Sequence, residues 1–319
     1  MMPPAFWQHD GWQARALSPV AAVVAALVAR RMAQPGWRAP VPVLCCGNAT
    51  VGGAGKTTVA LDLGARLRNR GVAVHYISRG YGGQVGGGPL RVDLSAHSAE
   101  LVGDEPLLLA QVAPTWVGAD RAASARAAVA SGAAALLMDD GLQNPGLVQD
   151  AGLLVIDGAT GFGNGRVLPA GPLREPAAVA AVRCRAAIMI GMDQRGAAAI
   201  LPKGLPILEA WLVPDQGLHG KRVLAFAGIA RPAKFHATLL QAGATIAATM
   251  DFPDHHRFTL REIQAVLARA RGLDAVPVTT PKDAVRLPAP WRDRVMAVGV
   301  SLAWAAEAEI DRLLLQVVP

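Results

Sequence analysis

The chain has 319 residues, 52% of them hydrophobic and 17% charged, with a net charge of +7. It is too apolar for a disordered chain and long enough for two domains of ordinary size, or one large one. The excess charge, mostly arginine, suits phosphate ligands or an anionic membrane surface, while aromatics at 5% and no basic run interleaved with them argue against a nucleic-acid partner.

Ala16–Ala29 is nearly all apolar, interrupted by Ser18 and Pro19, with Arg15 before it and Arg30 and Arg31 after it. A helix over this run covers roughly 21 Å against a hydrocarbon core of ~30 Å, so a full span is not expected. It is also a poor secretory signal, because arginines stand where small cleavage-site residues belong. Trp7, Trp12 and Trp37 flank it as interfacial anchors do. The reading is a membrane-associated helix within residues 1–38, peripheral or monotopic at the cytoplasmic membrane face. The competing reading is a core helix packed on the first domain.

Val43–Cys46 is a short apolar run that empties into Thr50-Val51-Gly52-Gly53-Ala54-Gly55-Lys56-Thr57. Glycines let successive backbone N–H groups turn inward around a phosphate. Lys56 then supplies a mobile positive charge, and the Thr57 hydroxyl can ligate Mg²⁺. A helix predicted from Thr58 to Arg70 points its positive end at the same phosphates. Thr50 occupies the position where the usual phosphate loop has its first glycine. Residues 50 and 52–57 are therefore expected to hold a nucleoside triphosphate. Cys45, Cys46 and Cys184 show no ligand spacing or disulfide framework, which points to a reducing cytosol.

Further strands are predicted at Ala73–Ser78, Ala133–Met138, Leu153–Asp157 and Ala186–Ile190, with helices at Glu105–Gln111 and Arg121–Ser131. This alternation predicts a parallel sheet covered on both faces, with ligands at the carboxyl ends of its strands. Arg79 and Tyr81 follow the second strand on a glycine-rich loop and suit an anionic substrate. Asp104 and Glu105 open a helix, where carboxylates also serve as plain caps. Asp139 and Asp140 close a buried strand, where a nucleotide site takes a second Mg²⁺ contact. Gln143 is a further candidate for the metal region. Asn164 and Arg174 lie in a long turn-rich stretch, of a size that is more often functional than not.

Prolines and glycines between Leu201 and Gly220 mark a joint. A second strand set follows at Val223–Ala227, Thr245–Met250, Pro277–Thr280 and Val295–Val300, with helices at Lys234–Gln241 and Leu260–Arg271. Residues 39–212 therefore read as a phosphate-loop domain and 218–319 as a smaller α/β domain. Of the adjacent His255 and His256, one is expected to turn across the cleft and tune an acid or base.

Several segments together resemble the tetraacyldisaccharide 4′-kinase family of lipid A biosynthesis. They are the phosphate loop, Ser78-Arg79-Gly80-Tyr81-Gly82-Gly83, Gly103-Asp104-Glu105-Pro106, Asp139-Asp140-Gly141-Leu142-Gln143, Phe162-Gly163-Asn164-Gly165-Arg166, Leu168-Pro169-Ala170-Gly171-Pro172-Leu173-Arg174-Glu175, Asp254-His255 and Lys282-Asp283-Ala284-Val285. The resemblance implies a kinase with its active site between two α/β domains. It would move the γ-phosphate of ATP to the 4′-hydroxyl of an acylated disaccharide 1-phosphate at the bacterial inner membrane. It implies Asp104 as the base, His255 as its partner and Lys56 as a catalytic cation. Glu105, Gln143 and Asp139 or Asp140 would serve the Mg²⁺–phosphate region with Thr57. Arg79, Tyr81, Asn164 and Arg174 are the candidate substrate contacts. Asn144 stands where the family usually has histidine, and no role is assigned to it. The rival reading is a membrane-associated phosphate-loop ATPase acting as a switch or partitioning protein. Such proteins often carry an extra lysine at the loop's second position, which is Val51 here.

Overall fold

The structure, a computed structural model, describes residues 4–318. The strands are β1 (Val43–Gly47), β2 (Val74–Ser78), β3 (Leu90–Arg91), β4 (Thr115–Val117), β5 (Ala135–Asp139), β6 (Ala151–Asp157) and β7 (Cys184–Ile190). There follow β8 (Ile207–Pro214), β9 (Arg222–Ala227), β10 (Thr245–Asp251), β11 (Val276–Thr279), β12 (Met296–Ala297) and β13 (Val300–Trp304). Nine form one sheet in the order β13-β8-β7-β6-β1-β5-β2-β4-β3, and four form a second in the order β10-β9-β11-β12. The large sheet is parallel except at its edges, where β13 and β3 run antiparallel to their neighbours. The second sheet is wholly parallel. The α/β class with parallel sheets is thus as expected.

Each central strand is apolar on both faces because helices cover both. In β1, Val43 and Cys45 enter one core and Leu44 and Cys46 the other. The helix Lys56–Asn69 buries Val59, Ala60, Leu63 and Leu67, a single stripe at helical spacing. Gly64 lies on the same side. A Cβ there would fall 1.8 Å from the Tyr76 Oη, which donates to the Ala60 carbonyl at 3.0 Å. Only glycine permits that approach of β2 to the helix.

Three expectations are corrected. The proline-marked joint contains a strand, β8, which the prolines at its two ends conceal. The apolar run Val295–Val300 divides between two sheets: β12 joins the small sheet and β13 pairs with β8. The chain crosses at Gly299, whose N–H donates to the Asp215 carboxylate at 3.0 Å. The C-terminal helix Glu307–Val317 then packs on the large domain, where Ile310 and Leu314 join the core and Asp311 pairs with Arg66 at 3.0 Å. The smaller domain therefore ends near Ala297, not at residue 319.

The N-terminal segment differs too. Short helices at Ala5–Gln8 and Trp12–Ala16 precede the helix Ser18–Met32, which starts at Ser18 because Pro19 fits only in a first turn. Leu17, Ala21, Val24 and Ala25 pack on the large domain. Val20, Val23 and Leu27, on a neighbouring stripe, are exposed, as is Trp12. Among the described residues no helix is long and apolar enough to cross a membrane. Trp37 is no free anchor: the Arg126 guanidinium stacks 4.7 Å from its ring centroid.

Candidate active site

The loop after β1 takes its shape from Gly52 (φ 113°) and Gly55 (φ 86°), both in the left-handed region. Thr50 is not among the positive-φ residues, so the usual first glycine is dispensable here. Its Oγ1 accepts from Asn48 Nδ2 at 3.0 Å. The loop is held from behind: Val51 N donates to Pro172 O (2.8 Å) and Arg174 N to Ala49 O (2.7 Å). A Cβ built on Gly52 or Gly53 meets nothing within 4 Å, so the front of the loop is open.

Two acids face this loop from the end of β5. Asp139 is buried, and its Oδ2 accepts from Thr57 Oγ1 at 3.2 Å. Among the described residues its Oδ1 has no partner. Burial, then the charges of Glu105 and Asp140, push its carboxyl up to about 7. Asp140 has φ 56°, a left-handed turn that aspartate tolerates, and meets different partners from Asp139. Arg174 grips it with two hydrogen bonds of 2.6 and 2.9 Å, and Lys56 Nζ lies 3.7 Å away. Burial alone would raise the Asp140 carboxyl, but Lys56 and then Arg174 hold it low. A buried carboxylate oxygen without a partner, beside a phosphate-loop hydroxyl, fits a hard cation that completes its shell with phosphate oxygens and water.

Gln143 lies beside this centre with its side chain already engaged. Its amide donates to Asn48 O (3.1 Å) and Glu175 Oε1 (2.8 Å), and its oxygen accepts from Arg174 (3.3 Å). It ties the loop to the Arg174 strap. Asn144 closes a turn through Gly146 N at 3.0 Å.

A second cluster joins the two domains. The helix Asp104–Val112 begins after Gly103 (φ 89°) and sets Asp104, 5% exposed, at its first position. Asp104 Oδ1 accepts from Glu105 N at 3.1 Å, and Oδ2 accepts from Arg286 Nη2 of the second domain. Burial would raise the Asp104 carboxyl; Arg286 and then Lys282 outweigh it and hold it below the ordinary value. His255 (φ 58°) has its Nδ1 3.8 Å from Asp104 Oδ2. Glu105 accepts from Lys282 Nζ at 2.7 Å. His256 turns away, stacked on Phe252 and paired with Glu262 at 3.1 Å. On the other flank Lys234 of the second domain donates to Asp157 at 2.9 Å, so ionic contacts border the cleft on two sides.

Of the remaining candidates, Tyr81 is exposed with its ring 6.5 Å from that of His255, and Arg79 is exposed at the end of β2. Asn164 is committed elsewhere: its amide donates to Phe6 O (3.2 Å) and Ala170 O (2.9 Å), and its oxygen accepts from Arg166 N (3.1 Å). In this structure it fastens the N-terminal segment. Arg286 was invisible to sequence reasoning. It stands four residues beyond Lys282, and nothing in one sequence tells such an arginine from a solvated one.

The family model for tetraacyldisaccharide-1-phosphate 4′-kinase matches residues 13–319. The chain belongs to that family. It is 58% identical to the tetraacyldisaccharide 4′-kinase of Gluconacetobacter diazotrophicus, covering 98% of this chain and 97% of that protein. It is 53% identical to that of Rhodospirillum centenum, covering 98% and 96%. A crystal structure of LpxK from Aquifex aeolicus in complex with ATP matches with a TM-score of 0.78 and 25% identity, over 96% of this chain and 99% of that one. The mixed α/β fold with its parallel sheets is thus that of a tetraacyldisaccharide 4′-kinase family member.

Proposed function

We propose that the protein transfers the γ-phosphate of ATP to the 4′-hydroxyl of a tetraacyldisaccharide 1-phosphate, with Mg²⁺, at the cytoplasmic face of the inner membrane. The observation that carries this reading is the pairing of an open phosphate loop with a buried carboxylate, Asp104, gripped from the opposite domain. A nucleotide switch has no use for a base held across a closing cleft, so the switch reading is set aside.

The loop amides of residues 52–57 and the Lys56 ammonium bind the triphosphate tail. Thr57 and Asp139 are the residues that would hold Mg²⁺, which when bound would offset the negative charge of the phosphates. Asp140 fixes Lys56 and Arg174 beside the loop until the nucleotide competes for those cations. Asp104 accepts the proton of the sugar hydroxyl, a poor nucleophile on its own. Glu105 lies beside it and lends negative charge toward the metal region when Lys282 releases it. Drawing the domains together through Asp104, Glu105 and Asp157 excludes water that would otherwise consume ATP. Arg79 and Tyr81, exposed at the cleft side of β2, suit the phosphorylated sugar. The exposed Val20, Val23 and Leu27 stripe suits a helix lying in the lipid interface, where the acyl chains of the acceptor remain.

The test incubates purified protein with γ-labelled ATP, Mg²⁺ and the lipid acceptor. Label is expected in the lipid, with kcat/KM lowered roughly 100- to 1000-fold by Lys56→Ala, the size of loss seen for a charge-stabilising donor. Labelled inorganic phosphate without labelled lipid rejects the proposal.

A further inference from the structure

Arg286 divides its guanidinium between two jobs. Nη1 donates within its own domain, to the Asp283 carboxylate and the Gly228 carbonyl, both at 2.9 Å. Nη2 reaches across the cleft to Asp104 Oδ2 and also lies 3.1 Å from His255 Nδ1. The side chain is 8% exposed, and Asp283 is fully buried. Asp283 is itself fixed by Thr280 Oγ1 (2.8 Å) and Gly228 N (3.1 Å). The fork is therefore aimed by buried hydrogen bonds on one edge and presents its other edge to the first domain.

This has a consequence for His255. An arginine can only donate, so the Nδ1 facing it acts as acceptor and the ring proton sits on Nε2. At 3.8 Å, His255 Nδ1 and Asp104 Oδ2 are beyond hydrogen-bond distance. The link between them is Nη2, which each of them faces.

We propose that Arg286 is the positioning residue that assembles the Asp104–His255 pair when the domains close. It orients the Asp104 carboxylate, whose other oxygen is held by Glu105 N, and sets the tautomer of His255. The inference rests on reading Asp104 as the base. It assigns Arg286 no contact with the reacting atoms. Lysine is not an equivalent, because one ammonium cannot serve Asp283 and Gly228 on one side and Asp104 and His255 on the other.

The experiment has two arms. In the first, Arg286→Gln is expected to lower kcat on the order of 100-fold while the KM for ATP stays within about twofold, the loss associated with a misplaced general base. Arg286→Lys is expected to remain at least about tenfold below the parent enzyme. Melting curves confirm that each variant is folded. In the second arm, ¹⁵N shifts of the histidine rings in the intact parent protein are expected to show His255 with bare Nδ1 and protonated Nε2. A protonated Nδ1 in the parent, or full kcat in Arg286→Lys, overturns the inference. The ring measurement stands even if Arg286→Gln does not fold. A parent enzyme that transfers no phosphate to lipid, yet shows the expected His255 tautomer, rejects the lipid-kinase reading and leaves the placement of His255 by Arg286 upheld.

Discussion

Asp139 carries a stability cost that the unliganded fold bears for the sake of its site. Its carboxyl rises from 3.8 to about 7, chiefly through burial. Below pH 4 the group is protonated in both folded and unfolded chains and costs nothing. As pH rises from about 4 to 7 the unfolded chain loses the proton first, so stability falls across that window and then levels off. A shift of this size corresponds to about 4 kcal/mol at pH 8. Asp139→Asn removes the charge but keeps an oxygen for the Thr57 hydroxyl, while its new amide needs a partner at a cost of about 1–2 kcal/mol. The variant is therefore expected to be more stable than the parent by about 2–3 kcal/mol at pH 8. The gain should shrink as pH falls, cross zero near about pH 5, and become a loss of about 1–2 kcal/mol below about pH 4, where only the amide cost remains. Urea denaturation at a series of pH values in the presence of a chelator measures it. Saturating Mg²⁺ and an ATP analogue should erase the advantage, because only the parent then has a cation to offset its charge. A variant that is less stable than the parent at pH 8, or whose advantage does not vary with pH, refutes the reasoning.

Further outcomes follow from the packing. Gly64→Ala drives a methyl into the Tyr76 hydroxyl and should cost about 1–3 kcal/mol, read as a lower melting temperature. Adding Tyr76→Phe removes the nearer clashing atom, while the ring carbon Cζ at 2.4 Å remains, so the double variant should melt above Gly64→Ala but below the parent. Replacing Val20, Val23 and Leu27 together by serine should leave the melting temperature nearly unchanged, since all three are exposed, while sharply reducing co-sedimentation with anionic vesicles. Unchanged vesicle binding counts against an interfacial helix. Asn164→Ala should lose about 1 kcal/mol for each tie to the N-terminal segment, read as faster proteolysis before residue 12. A raised KM for lipid with that segment still protected would return Asn164 to the substrate contacts.

The strand–loop–helix unit around residues 50–57 was legible because its signal is local: apolar strand, glycines, lysine, hydroxyl and helix follow one another in the chain. The buried strands β1, β2, β5, β6 and β7 were legible because parallel strands covered on both faces are continuous apolar runs. β8 and β13 were not, because one is edged by prolines and the other shares an apolar run with β12. The strand pairings, and the hydrogen bond from Gly299 to Asp215, show where the run changes sheets. Asp104 and His255 came from the resemblance rather than from spacing, since a carboxylate in a first helical turn looks like a cap. Arg286 stayed hidden because its partners lie 182 and 31 residues away along the chain. The tie from Asn164 to the N-terminal segment was hidden for a similar reason, since Phe6 lies 158 residues away along the chain.

The account turns on whether phosphate leaves ATP for a lipid alcohol. The most direct measurement follows ATP consumption and lipid phosphorylation together, with and without the disaccharide acceptor in mixed micelles. One phosphorylated lipid per ATP consumed, and almost no turnover without acceptor, is the predicted result. ATP hydrolysis that proceeds at the same rate whether or not the lipid is present contradicts it.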